Sequence, residues 1–473
     1  MSAAFAETMT VTAMQDVIER ARERARVAGS AVIVSWTAPL DGFADPVAYF
    51  AAADLAAPRT FWLEPDRGFA LAGTGSVLSV PASADDAYGE AASALRAAQR
   101  AAISGAEPGC DPVGPVALGG FAFDPTRETG LEWAGFPAAM MTVPTAMLWI
   151  ENGRAAVVVN AFIDGESDTS AVAERLSRNL DRARGAATSD LNGSVPAPMT
   201  VLEREIPQAG PWKSMVAEVA DEVRAGKFDK VVLARSEWFA CENEIDVPAT
   251  LRRMAETNRP AMIFAIGVPG AVFLGASPET LVRLEDGRLQ TTPLAGSIAR
   301  GTTPEEDARL ARRLLRSQKD RIEHDVVVGA ILQALDPFCL YLAPEPDAPV
   351  IVANRTVQHL ATPITGRVRP GVSAVDIAGR LHPTPAVGGY PADAALAAIR
   401  AREGFDRGWY AGPVGWCGPG GDGPFCIGIR SALVRGNEAT LYAGCGIVAD
   451  SDPETEYAET CLKLRAIGTA LGV

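Results

Sequence analysis

A chain of 473 residues with 48% hydrophobic and 21% charged side chains can bury one large core or two ordinary ones, and it is not the composition of a disordered or fibrous protein. Its 58 acidic residues outnumber 43 basic ones, for a net charge of −15. This argues against a nucleic-acid partner, and an anionic ligand would need a metal or single Lys and Arg residues set among the carboxylates.

The N-terminal stretch carries acidic residues early and no basic-then-apolar leader. Residues 14–28 are patterned as a helix, and β-like runs follow at 31–36, 60–63 and 155–160. GGFAFDP, residues 119–125, reads as a strand and turn. GTGSV at 73–77 is too short for a phosphate loop and lacks the following helix. Residues 185–200, rich in Gly, Ala, Ser, Pro and Asn, mark a soft boundary between an N-terminal α/β part (1–200) and a second part (205–473). Beyond it, Trp212, Met215, Val216, Val219, Ala220 and Val223 follow helical spacing, with Gly226 as the stop. KVVLARSEWFA is a strand with Lys230, Val232 and Ala234 on one face. AMIFAIG and AVFLGAS, separated by Pro269 and Gly270, form a hairpin and not a membrane span. Thr303, Pro304 and Glu306 make a capping box that starts a helix. Strands, helices and again strands predict an α+β fold with a large, mostly antiparallel sheet.

Two acidic pairs carry candidate chemistry. Asp320 and Glu323 lie three apart in a helical segment, as do Glu456 and Glu459 after a helix start at Asp452 and Pro453. Each pair is either a solvated helix face or two carboxylates aimed at one point. If the two helices faced each other, four oxygen-bearing side chains would suit Mg²⁺ better than zinc or iron. Lys463, one turn after Glu459, is either its ion-pair partner or a cation for a substrate carboxylate. Lys230 is an edge lysine or, if buried near a cation, a general base; Glu279 is a turn residue or a general acid. Arg430, inside the strand-like run FCIGIRSALV, calls for a carboxylate from protein or ligand. His324, His359 and His382 show no metal-ligand spacing and read singly as structural histidines. Seven scattered cysteines without a CxxC pair indicate reduced thiols and a cytoplasmic protein.

The ordered series KVVLARS, GASPETLVRL, TTPLAGSIARG, KDRIEHDVV, HLATPITGRV, LHPTPAVGGYP, GWYAGPVGW, CIGIRSALV and AGCGIVADSDPETEYAETCLK resembles the chorismate-utilising enzymes, from Trp212 to the C-terminus. GGFAFDP extends the resemblance to the N-terminal part. It implies antiparallel sheet layers wrapped by helices, in two intertwined subdomains, with residues 185–200 a surface loop. It also implies Mg²⁺ held directly by Glu323 and Glu459, with Asp320 and Glu456 holding its waters. Asp320 stands where glutamate is also common in the family. Lys463 would sit beside the ring carboxylate of chorismate and Arg430 would grip its pyruvyl carboxylate. Gly296, Ser297, Tyr410, Gly444 and Gly446 would line the ring, with His359 near the leaving hydroxyl.

Within that family, Lys230 resembles the base of water-using members, and PLAGS replaces the lysine-bearing PIKGT motif of aminodeoxychorismate synthases. Ammonia chemistry and an amidotransferase subunit are therefore not expected. The implied reaction is water attack at C2 with loss of the C4 hydroxyl, Lys230 as base and Glu279 as acid, in a monomer without membrane contact. HPTPAVGG, in place of the HPSVTASG of salicylate-forming members, points to release of isochorismate. Formation of salicylate and pyruvate is the alternative, and a non-catalytic chorismate binder a more distant one. Whether the product feeds menaquinone or siderophore synthesis stays open.

Overall fold

The computed structural model describes residues 3–82, 86–189, 200–345, 349–353 and 357–473; the side chains of residues 3–11, Ser297, Lys319, Glu323 and Val357 lie outside the described set. Two large sheets face one another, one of thirteen strands and one of nine, with a separate three-stranded ribbon. Val32–Leu40 and Ile103–Ala106 run parallel; the other strand pairs of the described residues are antiparallel. The α+β class expected from the sequence is thus observed.

Both sheets draw strands from the two parts of the chain. In the larger, Met262–Val268 pairs with Arg59–Glu64, aligning Ile263 with Leu63. In the smaller, Pro413–Cys417 pairs with Ala117–Phe121, aligning Gly415 with Gly119. The hairpin expected at AMIFAIG/AVFLGAS forms, with Val268 opposite Ala271. Its strands are apolar throughout because both faces are covered. Ile263 and Ala265 belong to a core shared with the helices Ala3–Ala28, Thr169–Ala187, Val247–Thr257 and Pro453–Leu471. Phe264 and Ile266 belong to the core between the sheets, with Phe121, Trp133, Val282 and Phe425. Each fully buried side chain of that size contributes about 1.5–3 kcal/mol.

Local signals behave as expected in most places. Gly226, at φ +75°, ends the helix Ala209–Arg224 by donating its N–H to Val223. Thr303 caps the helix Pro304–Arg316 by accepting from the Glu306 N–H at 3.2 Å. The reciprocal half of the capping box does not form, because the Glu306 carboxylate reaches one residue further, to the Thr302 N–H and hydroxyl at 3.0 and 2.7 Å. The run containing Arg430 is not one strand. Gly423–Ile427 belongs to the nine-stranded sheet and Ser431–Arg435 to the thirteen-stranded one, with Arg430 in the crossing between them. Among the described residues no helix is long and apolar enough to cross a membrane.

Candidate active site

The chain crosses between the large sheets at two places that lie against each other. Ala271–Ser277 ends in the thirteen-stranded sheet and Thr280–Glu285 begins in the nine-stranded one, leaving Glu279 in the passage. Arg430 occupies the other passage in a left-handed conformation, φ 52°. An arginine held there costs roughly 1–3 kcal/mol, a cost that the surrounding structure must offset. Four bonds brace the crossings. The Ser277 hydroxyl donates to the Ile427 carbonyl at 2.6 Å and accepts from the Glu279 N–H at 3.3 Å. The Ile427 N–H donates to the Glu279 carbonyl, and the Ala276 N–H to that of Arg430, each at 3.1 Å. Two charged side chains that a strand reading would have scattered are thereby fixed at one seam.

Beside the seam, the strand Lys230–Cys241 pairs with Glu438–Ile447, setting Val232 opposite Gly446 and Ala234 opposite Gly444. Lys230 folds across Gly446, since a Cβ on that glycine would stand 2.5 Å from the Lys230 Cε. A Cβ on Gly444 would meet the Tyr410 hydroxyl at 3.2 Å and the Leu233 carbonyl at 2.8 Å. Both glycines therefore leave room for a neighbour that belongs to the site. Tyr410 is buried, stacks on Tyr442 with centroids 5.2 Å apart, and has its hydroxyl pKa pushed up by burial.

The helix Pro453–Leu471 starts as the sequence indicates, with Asp452 accepting from the Thr455 N–H at 2.9 Å and Pro453 in the first turn. It presents Glu456, Glu459 and Lys463. The Lys463 ammonium pairs with Glu459 at 2.5 Å, the first of the two readings the sequence allowed, and also donates to the Gly444 carbonyl at 2.8 Å. Glu456 accepts from the Ser451 hydroxyl at 2.8 Å. Burial pushes its pKa up, and the charge of Glu459 adds to that.

Electrostatics tie these groups together. Burial raises the Glu279 pKa, against the opposing pull of Lys230, Arg430 and Lys463. Part of the residue is accessible, yet protein surrounds the carboxyl closely enough to disfavour its charged form. Burial lowers the Arg430 pKa, countered by Tyr410, Glu459 and Glu279. His359 stands opposite Ser297 in the three-stranded ribbon, and burial, then Lys230 and Lys463, lower its pKa. These surroundings favour its neutral imidazole form.

Of the other acidic pair, Asp320 packs against that ribbon at Gly296. Gly296, at φ +74°, forms a bulge between Ala295 and Ser297, where an added Cβ would stand 3.1 Å from the Asp320 Cβ. Asp320 sits in the first turn of the helix Gln318–Leu335, its N–H capped by the Ser317 hydroxyl at 3.3 Å. The Ser297 and Glu323 side chains lie outside the described residues. His324 is structural, bonded to the Ala295 carbonyl at 3.2 Å and the Thr362 hydroxyl at 2.7 Å. So is His382, at 2.9 Å from the Phe123 carbonyl, its pKa lowered to about 4 by burial.

Oxygen donors on one helix face, one of them half-buried with a raised pKa, suit a hard divalent cation such as Mg²⁺. Sequence reasoning missed Glu403 and Arg407, a buried ion pair in contact with the Lys230 strand. Their four-residue spacing just before Tyr410 was the available signal.

A two-sheet α+β scaffold that gathers a lysine, an arginine and an acid with raised pKa at one place is suited to acid–base chemistry on an anionic small molecule. Residues 17–472 match the chorismate binding enzyme model, and the chain belongs to that family. It is 34% identical over 459 residues, 96% of each chain, to isochorismate synthase MenF of Bacillus subtilis. It is 37% identical over 460 residues, 97% of this chain and 94% of the relative, to the salicylate biosynthesis isochorismate synthase of Pseudomonas aeruginosa. The solved structure of MenF, the menaquinone-specific isochorismate synthase of Escherichia coli, superposes with a TM-score of 0.76 at 26% identity, covering 93% of this chain and 95% of that one.

Proposed function

We propose that this chain is an isochorismate synthase, an isomerase that adds water at C2 of chorismate as the C4 hydroxyl departs. The observation that carries this reading is the convergence of Lys230 and Glu279 on one site, with the carboxyl pKa raised. A neutral Lys230 takes a proton from the attacking water, the ring double bonds shift, and Glu279 gives its proton to the leaving hydroxyl. The two groups need opposite protonation states, and the surroundings favour a protonated carboxyl. Arg430 receives the pyruvyl carboxylate, and Lys463 stands beside the ring carboxylate. Tyr410, Gly444, Gly446, Gly296 and Ser297 bound the ring, with neutral His359 by the C4 hydroxyl.

Glu459 and Glu323, with Asp320 and Glu456, would hold Mg²⁺, which when bound supplies neutralisation of the ring carboxylate. With water as nucleophile the reaction needs no amidotransferase subunit, and we read the enzyme as a cytoplasmic monomer.

Incubation of the chain with chorismate and Mg²⁺, followed by chromatography, tests the reading. A mixture of chorismate and isochorismate, reached from either side, is expected. Release of pyruvate with salicylate, or no conversion, would overturn it.

A further inference from the structure

Along one edge, the Lys230 strand has a gap in its ladder. Lys230 and Val231 pair with the short strand Gly389–Tyr390, and Ser236 onward pairs with Thr200–Ile206. Between them the Val232 N–H finds the Gly388 carbonyl at 2.9 Å. Two side chains complete the rest. The Val232 carbonyl accepts from the Arg407 Nη2 at 2.7 Å, and the Ala234 N–H donates to the Glu403 Oε1 at 2.7 Å.

Arg407 spends its other donors on neighbours of the same site. Its Nη1 donates to the Val387 carbonyl at 2.9 Å, within HPTPAVGG, and its Nε and Nη2 hold the Glu403 carboxylate at 2.8 and 2.6 Å. The guanidinium lies 4.2 Å from the Phe123 ring centroid and 6.0 Å from that of Tyr410, and the Arg407 carbonyl accepts from the Tyr410 N–H at 2.9 Å. One buried fork thus joins the strand carrying Lys230, the 382–389 segment and the ring of Tyr410. A buried ion pair is a weak source of stability compared with apolar packing of the same volume, so its bond pattern is the better guide to its role.

We propose that Arg407, held by Glu403, is a positioning residue that sets the stance of Lys230 relative to Tyr410 and the 382–389 segment. The proposal rests on the reading of Lys230 as the base. Lysine at 407 keeps the charge but cannot span Val232, Val387 and Glu403 at once.

The test is Arg407→Lys, with Glu403→Gln and Lys230→Ala measured in parallel under chorismate and Mg²⁺. In Arg407→Lys, kcat should fall about 10- to 100-fold while KM changes less than about twofold, as expected for a displaced catalytic group. Glu403→Gln, which leaves Arg407 its bonds to Val232 and Val387, should lose less. If Arg407→Lys does not fold, Glu403→Gln decides alone: a fall in kcat at constant KM supports the role. Folded variants with kcat unchanged, or with kcat and KM altered together, overturn it. Full turnover in Lys230→Ala would instead remove the reading of the base, so the two failures are separable.

Discussion

In the middle of the sandwich, Phe69 of one sheet stacks on Trp416 of the other at 5.3 Å, and Trp133 meets Phe273 edge-on at the same distance. At the seam, where Ser277–Glu279 and Ile427–Arg430 cross between the sheets, the corresponding space holds a carboxyl, a guanidinium and the approach of Lys230. In the first region strand ladders are continuous and apolar side chains fill both faces. In the second the ladders stop, backbone groups bond across the crossings, and the charged residues are only partly buried. The difference teaches that this fold places chemistry where its hydrogen-bond pattern is interrupted, while the continuous part supplies the stability that offsets a strained arginine and a half-buried acid.

Substitutions on each side should separate function from stability. Lys230→Ala is expected to lower kcat by about 10²- to 10⁴-fold with the thermal midpoint and calorimetric chorismate binding preserved; an active variant would remove Lys230 as the base. Phe273→Ala, in the core, should cost about 3–5 kcal/mol in denaturant unfolding while kcat per folded molecule stays within about twofold. Gly446→Ala sits between these cases. Its Cβ would displace the Lys230 stem, so a roughly tenfold loss of kcat is expected with a stability change under about 1 kcal/mol, because the flexible lysine yields and not the backbone. A large loss of stability without loss of turnover would refute the placement of Lys230.

The smallest effect is a slope. The folded-state pKa of Glu279 is raised above its unfolded value. Its favourable contribution is therefore complete below the ordinary carboxylate range and is lost as pH rises through the raised value. Glu279→Gln should thus gain in stability relative to the parent between mildly acidic and alkaline pH, while losing turnover. Parallel unfolding curves at all pH values would contradict burial as the cause of the shift.

Much of this was legible in the chain itself. The apolar hairpin, the Lys230 strand and the caps at Thr303 and Asp452 depend on local pattern, and each appears where the residues indicate. Arg430 was misread because Gly428 and Ile429 continue an apolar run, and only the pairing of Ser277 with Ile427 reveals that the chain changes sheets there. The proximity of His359 to Lys230 and Lys463 depends on a ribbon folding back over a distant strand, which no local spacing records. Likewise, Glu403 and Arg407 look like an ordinary surface pair until tertiary structure buries them against the ladder gap. The acidic pairs were visible as pairs, but the packing of Asp320 against the bulge at Gly296 was not.

The most direct test of the central claim, that the seam activates water for attack on chorismate, is turnover in ¹⁸O-enriched water with mass spectrometry of the isochorismate formed. The account predicts one solvent oxygen in the new C2 hydroxyl of the wild-type product and no such product from Lys230→Ala. Isochorismate that carries only the original C4 oxygen would mean an internal transfer, and would contradict both the base and the acid assigned here.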